Sequence, residues 1–164
     1  MTRAAERVLL DTNVWLDAFL PRRVAGEVSK ELIATAMRHN VDLLYPVHIV
    51  PDVFYLSYID IKKFLQGQGQ DELLAQAART TAWEFVNTMR EIATAVGADG
   101  SDVWTASKWE QIHQDVEDNM VLAAAKRAKA DYLVTSDKKL LSHAPLAGVA
   151  AVSPGDMLGI LAMA

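Results

Sequence analysis

The amino-acid sequence predicts an α/β domain with a mainly parallel central sheet. Short apolar runs alternate with longer segments whose apolar residues recur at helical spacing, which is typical of strands joined by helical crossovers. Some of these runs end directly at a polar residue, as buried parallel strands do. The chain has 164 residues, 51% of them hydrophobic, which suits one domain with a core of its own. With no internal repeat, we expect a single domain over residues 1–164.

The first half of the chain is predicted to contain two strands and four helices. Val8–Leu10 is an apolar run that ends at Asp11, the pattern of a buried strand. In chain order the further predictions are helices over residues 14–20 and 25–39, a strand over 42–45 closed by Pro46, a helix over 49–64, a Gly- and Gln-rich linker over 66–70, and a long helix over 71–96.

The second half begins with a weak strand signal at Val103–Trp104. A helix is predicted from Asp115 to about Lys129, because acidic residues in a first turn suit the helix dipole. After it we predict a strand over residues 131–135, a short helix, a strand near 149–152, and a closing helix after Pro154.

Composition excludes several classes of protein. The chain carries 16 basic and 21 acidic residues, a formal charge of −5, which argues against a protein that wraps nucleic acid through bulk positive charge. It contains no cysteine, which excludes a disulfide framework, a thiolate metal site and a cysteine nucleophile. The apolar segment before Asp11 is too short for a signal peptide and no run is long enough for a membrane span, so we expect a cytoplasmic protein.

Three aspartates are the first candidates for chemistry. Asp11 and Asp137 each follow a predicted strand, and parallel sheets place their ligands at the carboxyl ends of strands. Either residue could instead be a helix N-cap. Asp118 lies in line with the apolar stripe of its helix, where a charged group needs a partner or a metal. It could equally be an ordinary first-turn acid.

Three segments together resemble the signature blocks of the PIN-domain nucleases: Leu9–Val14, Asp115–Asp118 and Ala130–Asp137. Their order and spacing match, and the similarity covers most of the chain. The resemblance implies a three-layer α/β/α PIN-like fold and metal-dependent hydrolysis of RNA phosphodiester bonds. Many members of that family are VapC-like toxins of toxin–antitoxin pairs. An RNA substrate, a cognate antitoxin protein and a homodimer are therefore expected by resemblance.

Carried over by position, the resemblance assigns roles to individual residues. The family's acidic metal positions match Asp11, Asp118 and Asp137, and its polar supports match Thr12, Asn13 and Thr135. The family usually has a further Glu early in the helix after the second strand. Only Asp52 stands there, behind Pro51, and it is either a metal ligand or a plain first-turn acid. Asp115 is either an auxiliary residue of the site or a solvated helix-start acid.

These residue types suit Mg²⁺ or Mn²⁺. Both are hard ions that prefer carboxylate and water oxygens, and divalent ions neutralise a phosphodiester and activate water. Metal-bound water is sufficient as the nucleophile, so no protein base is required. His48, one turn before Asp52, is a candidate base or a structural histidine.

Local positive charge must contact the substrate. Lys138 and Lys139 follow Asp137 directly and are the best placed, while Arg22–Arg23 and Lys62–Lys63 could be solvated charge.

The sequence argues against two other functions and leaves a third open. A haloacid dehalogenase-type phosphatase needs Asp-x-Asp after the first strand, but position 13 is Asn. A flavodoxin-like module would need a Gly-rich phosphate loop there. A catalytically inactive PIN-like binding or assembly module stays open, because the second acid is Asp52 rather than Glu.

Overall fold

The computed structural model describes residues 5–163, and its strands form one parallel sheet. The order across the sheet is β3-β2-β1-β4-β5. The strands described are β1 Arg7–Leu10, β2 Asp42–Pro46, β3 Thr94–Val96, β4 Tyr132–Val134 and β5 Ala151–Val152. This confirms the predicted α/β class, with every strand pairing in that sheet parallel.

Eight helices longer than one turn surround the sheet within residues 5–163. They are α1 Thr12–Phe19, α2 Gly26–Arg38, α3 Val50–Leu65, α4 Asp71–Ile92, α5 Gly100–Lys108, α6 Val116–Arg127, α7 Lys138–His143 and α8 Pro154–Ala162. Short 3-10 helices over Val47–Ile49 and Ala144–Ala147 precede α3 and follow α7. No described helix is long and apolar enough to cross a membrane.

The central strand β1 is covered on both faces. Val8, Leu9 and Leu10 are all buried, although their side chains point alternately to opposite faces of the sheet. Helices must therefore lie on both sides, which gives three α/β/α layers. This double burial explains why the strand has a continuous apolar run in the sequence.

The chain order creates a crevice between β1 and β4. From β1 the chain moves to β2 and β3 on one side, then returns to β4 and β5 on the other. Leu10 pairs with Val134, and the N–H of Asp11 donates to the carbonyl of Val134 at 3.0 Å. The residues after both strands therefore meet at one edge, where open parallel sheets bind ligands.

Two local predictions are wrong. The long helix predicted over residues 71–96 ends at Ile92, and Thr94–Val96 forms strand β3 against Leu44–Pro46. A three-residue strand at the sheet edge is too short to interrupt the helical spacing of apolar residues before it. The weak strand at Val103–Trp104 lies inside helix α5, which begins with a capping box made by Asp99 and Asp102.

The other predicted elements are confirmed, with ends shifted by a few residues. The predicted helix from Asp115 begins at Val116 with Asp115 as its N-cap, and the strand near residues 149–152 is shorter than predicted. Parts of the charged start and of the closing helix fall on residues 1–4 and 164, outside the described residues.

Candidate active site

Asp11 is buried at the carboxyl end of β1 and is held by three hydrogen bonds. Its Oδ1 accepts from the N–H of Thr12 at 2.7 Å. Its Oδ2 accepts from Asn13 Nδ2 at 2.8 Å and from Thr135 Oγ1 at 2.7 Å. Only 5% of Asp11 is exposed, and this burial raises its pKa to about 6 even though these hydrogen bonds oppose the rise. The carboxyl group is thus fixed in orientation and lacks compensating positive charge.

Asn13 and Thr135 link the ends of β1 and β4. Asn13 Nδ2 donates to Thr135 Oγ1 at 3.0 Å, while its Oδ1 accepts from the N–H of Ser136 at 2.9 Å. Thr135 Oγ1 also accepts from the N–H of Asp137 at 3.1 Å. Two of the predicted supporting residues, Asn13 and Thr135, therefore form one network that connects Asp11 to the segment carrying Asp137.

Asp137 and Asp115 are helix N-caps as well as residues of the site edge. Asp137 Oδ1 accepts from the N–H groups of Lys139 and Leu140 at 2.7 and 2.9 Å. Asp115 Oδ1 accepts from the N–H of Asp118 at 3.1 Å. In each carboxylate the cap uses Oδ1. The capping and site alternatives drawn from the sequence are therefore compatible.

Asp118 points to the same edge from helix α6 and contacts a histidine. Its Oδ2 lies 2.7 Å from Nε2 of His113. Burial raises the pKa of Asp118, and the hydrogen bond from His113 works against that rise. Asp118 and Asp137 also raise the pKa of Asp11 through charge repulsion, so the three aspartates are close enough to interact.

The predicted second acid, Asp52, pairs with another carboxyl group. Its side chain hydrogen-bonds to Glu117, whose pKa rises to about 7 because of burial, this hydrogen bond and the charge of Asp52. Glu117 was not among the residues singled out in the sequence, although it lies within the motif Asp115–Asp118. Asp52 therefore contacts the edge of the site through Glu117 on helix α6.

One small pocket of about 210 Å³ collects most of these groups. We call it the carboxylate pocket and define it by Asp11, Asp115, Glu117, Asp118 and Asp137, which line it together with Thr12, Asn13 and Arg23. Asp52 does not line it but contacts Glu117 beside it. An adjoining cleft of about 900 Å³ shares Asp115, Asp118 and Asp137 and is also lined by Lys138, Lys139, His113 and His143.

Of the other predicted cations, Arg23 lines this pocket, whereas Arg22, Lys62 and Lys63 are not among its lining residues. Arg23 lines it but is engaged by Asp17 at 3.6 Å and Asp60 at 3.2 Å. Arg22 lies over the ring of Phe64 at 4.8 Å from its centroid. The pair Lys62–Lys63 lines a separate groove.

His48 does not contact the carboxylate pocket. Both of its ring nitrogens are buried with no hydrogen-bond partner in the described part of the chain, and burial lowers its pKa despite the charge of Asp52. This environment does not favour a role for His48 as a catalytic base over a structural role.

The donor set suits a hard divalent cation. Every acidic group in the pocket offers oxygen, and the buried hydroxyl of Thr12 has no hydrogen-bond partner among the described residues. In residues 5–163 no group of three or more Asp, Glu or His side chains is arranged to hold an ion directly. Mg²⁺ commonly keeps several of its waters and binds through one or two carboxylates, so the residues fit a partly hydrated ion.

The sequence matches the PIN domain over residues 7–139. The chain therefore belongs to the PIN-domain family, which confirms the predicted resemblance and replaces the phosphatase alternative. It is also 27% identical over 139 residues to Ribonuclease VapC1 of Aquifex aeolicus (strain VF5), a match that covers 84% of this chain and 86% of that protein. The span matched by the PIN domain, residues 7–139, contains both Asp11 and Asp137.

Proposed function

We propose that this protein is a divalent-metal-dependent endoribonuclease that hydrolyses RNA phosphodiester bonds at the carboxylate pocket. The observation that carries the proposal is the convergence of Asp11, Asp118 and Asp137 in one pocket. Burial raises the pKa of the Asp11 carboxyl to about 6, and no positive charge among the described residues offsets this rise. A cation from solution would therefore be favourable in the pocket. The similarity to a protein named as a ribonuclease supports RNA as the substrate.

Asp11, Asp118 and Asp137 would hold Mg²⁺ or Mn²⁺, directly or through water. The chemistry that such an ion supplies is neutralisation of the phosphodiester charge and a lowered pKa of water. Asn13 and Thr135 keep the carboxyl of Asp11 facing the pocket through their hydrogen bonds.

The neighbouring residues have supporting roles in this proposal. Burial, and then the neighbouring Asp52 carboxyl, raise the pKa of Glu117 to about 7, because two carboxyl groups in contact do not both ionise readily. Glu117 lines the pocket and adds a further carboxyl group to its wall. Asp115 holds the first turn of α6 and thereby the backbone of Asp118.

Substrate binding is assigned to the adjoining cleft. Lys138 and Lys139 line it next to Asp137, and lysine charge near a metal site attracts the phosphate backbone without reading its sequence. An overall charge of −5 is compatible with this local arrangement, because the acidic residues of the pocket are the ones that a cation would neutralise.

The test is RNA cleavage by the purified protein with Mg²⁺ or Mn²⁺. Replacing one charge-stabilising group typically reduces turnover by about 10²–10³-fold, and we expect at least this loss for Asp11→Asn. Asn is also a good N-cap, so the fold should survive, as circular dichroism would verify. Asp42→Asn, an exposed aspartate at the start of β2, is the matched control and should cleave normally. Equal residual cleavage by wild type and Asp11→Asn would instead favour the inactive binding module.

Toxin activity, a cognate antitoxin protein and homodimerisation follow from the family resemblance alone. We propose them as accompanying properties, and each stays a prediction. Co-purification with the product of a neighbouring small open reading frame, and the mass of the purified particle, would test them separately from catalysis.

A further inference from the structure

His113 and His143 form a line of hydrogen bonds that ends on Asp118. His113 Nε2 lies 2.7 Å from Asp118 Oδ2, and His113 Nδ1 lies 2.7 Å from His143 Nδ1. The two rings meet edge to face, with centroids 4.9 Å apart and planes at 68°. Neither histidine belongs to any of the sequence motifs, so the arrangement appears only in three dimensions.

The backbone around His113 is built to aim this ring. Its N–H donates to the carbonyl of Trp109 at 2.8 Å, and its carbonyl accepts from Asn119 Nδ2 at 2.6 Å. Asn119 is buried next to Asp118 on helix α6, and His113 itself is only 5% exposed. The loop before α6 is thereby fixed to the same helix that carries the carboxylate.

Hydrogen-bond chemistry assigns a direction to this line. A carboxylate only accepts, so His113 must donate from Nε2 to Asp118. When the His113 ring carries a single proton, that proton is on Nε2, and the lone pair left on Nδ1 accepts from the Nδ1–H of His143. Nε2 of His143 has no hydrogen bond in the part of the chain that the structure describes, and His143 lines the adjoining cleft.

We propose that His113 is the positioning residue of Asp118 and that His143 fixes the tautomer of His113. The N–H of His113 occupies Oδ2 of Asp118 and orients the carboxylate, so that Oδ1 remains available at the pocket edge. The inference rests on the proposed function, in which Asp118 is a metal ligand. Partners that hydrogen-bond to ligating side chains contribute about 10–100-fold to metal affinity in other proteins.

The main test is Mn²⁺ affinity of the full chain, measured by titration calorimetry without RNA. For His113→Leu we expect binding about 10–100-fold weaker than wild type, because the donor is lost. His113→Gln places an amide N–H near the position of Nε2 and should restore affinity to within a few-fold. His39→Leu, at the exposed end of α2, is the matched control and should bind as wild type does.

A purely structural role for His113 would not produce rescue by Gln. A folded His113→Leu variant with wild-type affinity would overturn the proposal, and so would a folded Gln variant as weak as Leu. Should His113→Leu fail to fold, ¹⁵N NMR of the imidazole rings in the wild-type protein decides. Nε2–H on His113 with Nδ1–H on His143 supports the proposal, and any other pair of tautomers overturns it.

The two proposals fail in distinguishable ways. If wild type cleaves no RNA while Mn²⁺ affinity still depends on His113 as described, the nuclease function is wrong and the positioning role stands. Normal cleavage with Mn²⁺ affinity independent of His113 overturns the positioning role alone. A wild-type protein that binds no Mn²⁺ overturns both.

Discussion

Acidic groups gather near both ends of helix α6, in opposite electrostatic states. At the C-terminal end, Arg127 Nη2 lies 2.7 Å from Asp99 and 2.8 Å from Asp102. We call these three residues the Arg127 cluster. Hydrogen bonds from Ser101 and Arg127 lower the pKa of Asp99 to about 2. At the N-terminal end, burial raises the pKa values of Asp11, Glu117 and Asp118 in the carboxylate pocket.

The difference lies in the supply of positive charge. The Arg127 cluster contains its own guanidinium, whose Nε–H donates to both carboxylate oxygens of Asp102 at 3.0 Å. The carboxylate pocket has Arg23 on its wall, but Asp17 and Asp60 already engage that side chain. Acids that come with a resident cation are structural, whereas acids without one are suited to a cation from solution. Asp11 and Asp102 expose the same 5% of their surface, but burial is the largest influence on the pKa of Asp11, whereas the hydrogen bond from Arg127 is the largest for Asp102.

The largest expected effect is a double dissociation between the two ends of α6. Asp118→Asn should reduce RNA cleavage by about 10²–10³-fold or more, while the metal-free protein melts at or above the wild-type Tm because a repulsive charge is removed. Asp102→Asn should leave cleavage within a few-fold of wild type and lower the Tm. The measurements are cleavage rates and thermal melts on the same preparations. A Tm loss in Asp118→Asn equal to that in Asp102→Asn would remove the distinction.

A smaller effect is expected when Mn²⁺ is added to the wild-type protein. A ligand that binds only the folded state stabilises it by about 2.7 kcal/mol at one hundred times its Kd, which corresponds to a rise in Tm of roughly 5–10 °C for a chain of this size. Asp11→Asn should lose most of that rise, and Asp99→Asn should keep it. If Mn²⁺ does not change the Tm of the wild-type protein, the acidic groups of the pocket do not require a cation from solution.

The smallest expected effect concerns Arg127→Gln at different pH values. At pH 7 the variant should melt below wild type by about 3–6 °C, because Asp102 is left buried without its partner. A carboxyl whose pKa is lowered on folding stabilises the protein above its ordinary pKa and loses that contribution in acid. Ser101 and Arg127 lower the pKa of Asp99, and Arg127 lowers the pKa of Asp102. The Tm difference should therefore shrink from about pH 4 down to the lowered pKa of Asp99, about 2. A difference that stays constant through this range would contradict the assignment.

The elements that carry the motifs could be predicted from the sequence. Asp11 follows strand β1 directly, and Asp137 stands only a few residues after strand β4. The apolar runs of both strands are buried on both faces of the sheet. The approach of Asp11 and Asp137 to one crevice also followed from the rule that parallel strands end at one edge, whereas the hydrogen bond from Thr135 to Asp11 is visible only in the structure. Strand β3 could not be predicted, because three residues at a sheet edge are too few to establish a period of two.

The contacts between side chains on different elements could not be predicted either. His113 and His143 are 30 residues apart, and their contact depends on how the loop before α6 packs against α7. Glu117 was visible in the motif, but its pairing with Asp52 depends on the packing of α3 near α6. The same holds for Arg127, whose partners lie on another helix.

The hydrogen bond between Thr135 and Asp11 spans 124 residues, which has a consequence for the order of events in synthesis. A ribosome-bound chain that has emerged only as far as α6 possesses Asp11 and Asp118 but neither Thr135 nor Asp137. Parallel strand pairing over such separations also forms late in folding. The pocket therefore assembles only after β4 and the residues that follow it have been made, and under the proposed function a shorter nascent chain has no complete site for RNA cleavage.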